Sequence, residues 1–119
     1  MVDTGFSRFI LEEAYWLESN MLMVIFEFKV KSGQSQVYFD LAQDMMDKVE
    51  NVDGFLGVER FQSCNEEEKY ISVSKWRNHK AIKEWGSNIE HRQVQKTGKK
   101  EIFDSFDIRV VEVLREKLF

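Results

Sequence analysis

The chain contains no proline and one cysteine, Cys64. With a single thiol no intramolecular disulfide can form, which points to a reducing compartment, the cytoplasm. Without proline the turns rest on glycine, and Gly33, Gly54, Gly57, Gly86 and Gly98 mark the joints between patterned segments. Long apolar runs are also missing. Met21 to Phe26 is far too short to span a bilayer, and Arg8, Glu12 and Glu13 interrupt the stretch from Phe6 to Leu17, so neither a membrane span nor a secretory signal is expected. There is no excess of basic charge: 17 Lys and Arg face 21 Asp and Glu, for a net charge of −4. Such a balance exerts no pull on nucleic acid or anionic lipid, and the basic run at Lys96 and Gly98–Lys100 is followed at once by Glu101 and Asp104. The two histidines, His79 and His91, stand apart, without Cys or carboxylate neighbours at metal-ligand spacing. No glycine-rich phosphate loop and no nucleophile elbow is present. No metal, cofactor, nucleic acid or membrane partner is expected.

What remains is enough for one packed domain: 119 residues, 43% hydrophobic and 13% aromatic. Leu22, Val24, Phe26, Phe28 and Val30 recur at period two within Met21–Lys31, the mark of a strand with one buried face. The period changes to helical between Gln34 and Asn51, where Tyr38, Leu41, Ala42, Met45 and Val49, with Val52 beyond, form an apolar stripe. Asp53-Gly54 turns the chain out of that helix. A second strand is expected over Phe55–Ser63, with Phe55, Gly57, Glu59 and Phe61 on one side and Leu56, Val58 and Arg60 on the other. Asn65–Glu68 is a hairpin loop, and a third strand runs from Lys69 to Trp76 with Tyr70, Ser72, Ser74 and Trp76 on one face. Asn78 caps a second helix whose stripe is Ala81, Ile82, Trp85 and Ile89, broken or kinked near Gly86. The last strand is placed at Phe106–Leu114, with Phe106, Ile108, Val110 and Leu114 on one face and Val111 and Val113 on the other.

The order is β-α-β-β-α-β, an α+β ferredoxin-like arrangement with an antiparallel sheet and both helices on one face. Residues 1–20 read as an N-terminal extension and residues 21–119 as the domain. Met21, Met23, Ile25, Val111 and Val113, with Trp76 as a further candidate, would leave the second sheet face apolar. An uncovered face of that kind marks an interface, so a homodimer formed sheet to sheet is expected.

Particular segments carry a family likeness. They are Gly54-Phe55-Leu56-Gly57-Val58-Glu59, Ile71-Ser72-Val73-Ser74-Lys75-Trp76, Ala81-Ile82 with Trp85, Glu90-His91-Arg92 with Gln95 and Gly98, and Arg109-Val110-Val111-Glu112-Val113. In this order the chain resembles the antibiotic biosynthesis monooxygenase family of dimeric α/β-barrel proteins, over roughly Met23–Arg115, and most of all its small, mostly uncharacterised bacterial members. It departs from them at Asp53, where a proline commonly precedes the turn, and at Ile102 and Phe103, where a Trp-Tyr pair is usual. The resemblance implies a ferredoxin-like dimeric barrel, and an activity ranging from cofactor-free oxygenation of polycyclic aromatics to haem breakdown. In the haem-degrading branch a histidine ligates iron where this chain has Gln95, and an assisting asparagine falls about at Phe26, so haem degradation is not expected.

The candidate catalytic residue is His91, an imidazole able to take a proton near neutral pH. Trp85, Phe26 and Phe61 are candidate walls of a substrate cavity, with Tyr70 and Gln95 as hydrogen-bond donors. Each has a plainer reading: His91 as a helix-end residue bonded to a neighbour, and Trp85 as packed core. Two functions follow. One is a cofactor-independent monooxygenase acting on a hydrophobic aromatic molecule. The alternative is a non-catalytic dimeric small-molecule-binding or stress-associated protein of the same fold.

Overall fold

The computed structural model describes residues 16–88, 96 and 101–118. The strand foreseen from its period-two pattern spans Leu22–Val30 (β2), after a short strand at Trp16–Glu18 (β1). Helix α1 covers Ser35–Val49, β3 Phe55–Gln62, β4 Lys69–Trp76, and α2 His79–Gly86. The chain then forms β5 at Phe103–Glu112 and β6 at Arg115–Lys117. The main sheet has the order β3-β4-β2-β5 with every neighbour antiparallel, as the split arrangement requires. A separate two-stranded ribbon pairs β1 with β6, Leu17 opposite Glu116. Among the described residues no helix is long and apolar enough to cross a membrane.

The last strand corrects the sequence reading at both ends. It begins at Phe103 rather than Phe106 and stops at Glu112, so Leu114 lies beyond it and is 74% exposed. Phe103-Asp104-Ser105 lacks apolar alternation, yet a register shift between Lys29 and Val30 lets Phe103 pair opposite Val30. A second irregularity sits between Phe55 and Gly57, which lie opposite the consecutive residues Trp76 and Lys75. Leu56 is the extra residue of a β-bulge, and Gly57 supplies the backbone angle there, with φ at +145°. Phe55 therefore turns inward onto Trp76, ring centroids 5.2 Å apart, while Phe61 pairs with Ile71 on the opposite side of the sheet. Trp76 is likewise buried on the helix side, opposite Leu22, and not on the open face.

Two separate clusters form the core. Leu22, Val49, Trp76 and Ala81 are buried at one end, packed by Val52, Phe55 and Ile82 among others. Phe28, Val30, Tyr70 and Ile102 are buried at the other, packed by Tyr38, Phe39 and Phe103. The α2 start is held as foreseen: the Asn78 side-chain oxygen accepts from the Ala81 N–H at 2.9 Å. Gly54 joins this corner. Its φ is +95°, and a Cβ there would lie 2.7 Å from the Ala81 Cβ. Gly54→Ala thus combines a left-handed strain with a steric clash, a loss of about 2–4 kcal/mol that a lowered urea midpoint with unchanged slope would register.

Candidate functional site

Between the two core clusters the helices do not close onto the sheet. The cause is visible along β4, whose inward residues run Tyr70, Ser72, Ser74, Trp76. Two large side chains reach the helices at the ends, and two serines leave a gap in the middle. The result is a cavity of about 840 Å³, within the range of small-molecule sites. Its floor comes from four strands in register: Val58 and Arg60 of β3 lie opposite Ser74 and Ser72, which lie opposite Val24 and Phe26 of β2. Ile108 and Val110 of β5 complete it and are 47% and 48% exposed, so the mouth opens along that edge. The roof is the helical stripe read from the sequence, Tyr38, Leu41, Ala42, Met45 and Val49 of α1, with Ile82 and Trp85 of α2.

The aromatic wall is continuous. Phe26 stacks on Phe28 at 4.5 Å between centroids and meets Phe103 and Phe106 edge-on at 5.5 and 5.9 Å. The polar equipment is sparse. Ser74 is committed within the fold: its hydroxyl donates toward the Val24 carbonyl at 3.5 Å and accepts from the Trp76 indole N–H at 2.8 Å. Tyr38 and Arg60 form a polar corner. The Arg60 guanidinium lies 5.3 Å from the Tyr38 ring centroid and 4.6 Å from that of Phe39, the geometry of cation–π attraction. Burial pushes the Tyr38 phenol above its ordinary pKa, and Arg60 only partly offsets that rise. At neutral pH the hydroxyl keeps its proton and can donate.

Of the residues singled out from sequence, the structure brings Phe26 and Trp85 together at the cavity. Phe61 is not a wall. The bulge and the two-residue period carry it to the far face, where it is 47% exposed. Tyr70 backs the cavity from within the core, 8% exposed, with its hydroxyl 3.3 Å from Ser35 Oγ rather than turned into the space. His91 and Gln95 lie outside the described residues. Tyr38 and Arg60 were not foreseen as site residues. Their only sequence signal is that they fall on the inward stripes of α1 and β3. Among the described residues no group of three His, Cys, Asp or Glu side chains could hold a metal ion.

Comparison with known proteins follows the same outline. The family model described as antibiotic biosynthesis monooxygenase matches residues 21–97. A protein of Bacillus subtilis, the uncharacterized YqjZ, is 33% identical over 96 residues, covering 81% of this chain and 82% of its own length. A Pyricularia oryzae protein named jasmonate monooxygenase ABM is 28% identical over 93 residues; the match covers 78% of this chain but only 43% of that protein. Among solved structures, a Shewanella oneidensis protein superposes with a TM-score of 0.74 at 14% identity, over 82% of this chain and 96% of its own. SnoaB from Streptomyces nogalater, a cofactor-independent oxygenase, superposes with a TM-score of 0.68 at 9% identity, over 80% and 94%. The structural likenesses establish the fold, and with the family match over most of its length this chain belongs to the antibiotic biosynthesis monooxygenase family.

Proposed function

We propose that the protein is a cofactor-independent monooxygenase that takes a hydrophobic aromatic small molecule into the cavity beneath α1 and α2. The observation that carries this reading is the aromatic-walled space of about 840 Å³ in a chain of this family. The names of two relatives, a jasmonate monooxygenase and a cofactor-independent oxygenase, support the reaction class. The protein works as a homodimer, the usual state of its family, joined through the sheet face that carries Met23, Ile25, Val73 and Val111. An exposed single cysteine, Cys64, is in keeping with a cytoplasmic setting.

In this chemistry the substrate supplies the electrons. An activated CH₂ loses a proton to a base, and the carbanion passes one electron to O₂. The radical pair joins into a C–O bond, and the resulting peroxide anion takes the proton back from the base. The hydroperoxide then loses water with its remaining C–H proton, so that CH₂ and O₂ become C=O and H₂O. The protein contributes the base, a dry cavity and donors for the developing enolate oxygen. His91 is the proposed base and Gln95 a proposed donor. Tyr38, protonated and facing the cavity, is a donor that the fold adds to them.

An oxygen electrode with anthrone as substrate tests the reading. Uptake of one O₂ per anthrone, with appearance of the quinone, is the expected result. His91→Gln keeps a hydrogen-bonding side chain but removes the base, and slows uptake by about 100-fold or more with an unchanged melting temperature. Uptake no faster than the protein-free rate would sink the oxygenase reading. A lowered melting temperature with full activity would instead make His91 structural.

A further inference from the structure

The cavity differs in charge from the molecule around it. The chain as a whole carries −4, yet no Asp or Glu lines the cavity among the described residues, whereas Arg60 and Lys96 do. Arg60 leaves β3 opposite Ser72, beside the floor serines. Its guanidinium carbon sits over the Phe39 and Tyr38 rings at 4.6 and 5.3 Å. Arg60 is also a hydrogen-bond partner of the Tyr38 hydroxyl, and a guanidinium has five N–H donors, so others remain for an acceptor. Other cations of the surface have found carboxylates: Arg77 holds Asp53 at 3.1 Å and Lys69 holds Glu66 at 3.0 Å. No carboxylate pairs with Arg60 among the described residues. Glu59, its neighbour in sequence, belongs to the other face of the sheet, opposite Val73.

We infer that the ligand of this cavity is an organic acid, a flat apolar body resting on Phe26, Trp85 and Phe103 with its carboxylate at the edge of the Arg60 guanidinium. The assignment rests on the reading of the cavity as a ligand site and narrows it to a class. A planar guanidinium matches the two oxygens of a carboxylate, and because Arg60 is exposed the pair forms at the water-facing rim of the cavity, where salt screens it. Ser72, directly across from Arg60, and the protonated Tyr38 hydroxyl can each donate to an oxygen of the same group. Lys96 adds a second positive charge to the wall, and no carboxylate of the described lining opposes it. The acidic exterior then has a selective effect. It disfavours the approach of anions in general, so affinity must come from the apolar body and the anchored carboxylate together.

Isothermal titration with 2-naphthoate and 2-naphthamide, matched in shape and differing in charge, tests this on the full chain. Naphthoate is expected to bind at least ten-fold tighter than the amide, and the margin is expected to shrink as sodium chloride is raised. Arg60→Gln brings naphthoate down to the affinity of the amide, and Arg60→Lys restores part of the difference. Equal binding of the two probes by the unaltered protein overturns the carboxylate assignment while leaving the cavity a ligand site. Retention of the preference in Arg60→Gln, with a native melting curve, overturns Arg60 as the anchor. Binding of neither probe by folded protein removes both this inference and the aromatic-ligand reading on which it rests.

Discussion

Phe28→Ala lowers the melting temperature by roughly 10–20 °C, an effect large enough to threaten folding at 37 °C. Phe28 is 1% exposed and lies at the centre of an aromatic cluster. Its ring centroid is 4.5 Å from Phe26, 4.6 Å from Tyr38, 5.3 Å from Phe103 and 5.6 Å from Tyr70. Removing it takes away buried apolar area and leaves a void that four neighbours, themselves pinned by strand pairing and by α1, cannot fill. Truncations of this kind cost about 3–5 kcal/mol. That is a large share of the 5–15 kcal/mol by which a domain is usually stable. For a chain of this size the loss converts to the stated shift, read by calorimetry or circular dichroism. Phe28→Leu, which retains most of the volume, falls by less than half as much. A melting curve unchanged by the alanine substitution would mean that the cluster is not the structural anchor of this end of the molecule.

Much of this was legible before the structure. β2 and β4 were readable because their alternation is uninterrupted, and the ends of β4 at Lys69 and Trp76 follow from the polar loop before and the Asn78 cap after. The inward stripe of α1 was readable because it carries the apolar residues at helical spacing, but that it roofs a cavity was not. Where the reading failed, the deciding information was not local. The start of β5 at Phe103 depends on a register shift against another strand. The ribbon of β1 and β6 joins segments from the two ends of the described chain and shows no period in three residues. Phe61 was placed at the cavity because aromatic residues invite that reading, and the bulge that fixes its side leaves no periodic trace. The Tyr38–Arg60 corner depends on a helix and an edge strand meeting across the sheet, which neither segment announces alone. The hollow itself was spelled out in Tyr70-x-Ser72-x-Ser74-x-Trp76, two bulky residues around two small ones, although its meaning emerged only once the helices lay above it.

On the proposed sheet-to-sheet assembly, Val111→Asp is expected to yield a monomer. Val111 lies opposite Met23 on the sheet face away from the helices, half-buried, and Ile25, Val73 and Ile71 extend the apolar surface from there across β2 and β4. Phe61, 47% exposed, stands at the far edge of the same face. If two copies pair through this surface, symmetry brings the altered position into the interface twice. Each carboxylate would then lose its water without gaining a partner, a cost of several kcal/mol. The dissociation constant rises by about 100-fold or more. Sedimentation equilibrium at micromolar concentration reads the result, with the variant at the chain mass of 14.2 kDa and the unaltered protein at twice that. Val111→Ile, larger but apolar, remains dimeric. An unaltered protein that sediments as a stable monomer at that concentration would remove the sheet-to-sheet assembly.

The bulge at Leu56 has a consequence for the sign of charge inside the protein. Phe55 is held inward by Trp76. Counting from it by strict alternation, the inward positions of β3 would be Gly57, Glu59 and Phe61, and the cavity would carry a carboxylate. One skipped residue inverts the parity, and Val58 and Arg60 are delivered instead. The bulge in turn depends on a backbone angle of +145° at Gly57 that side chains rarely adopt. A glycine with no side chain to offer a ligand therefore decides whether an arginine or a glutamate faces the cavity. The sign of charge facing the cavity is thus set by strand geometry, with every charged residue left where it is in the chain.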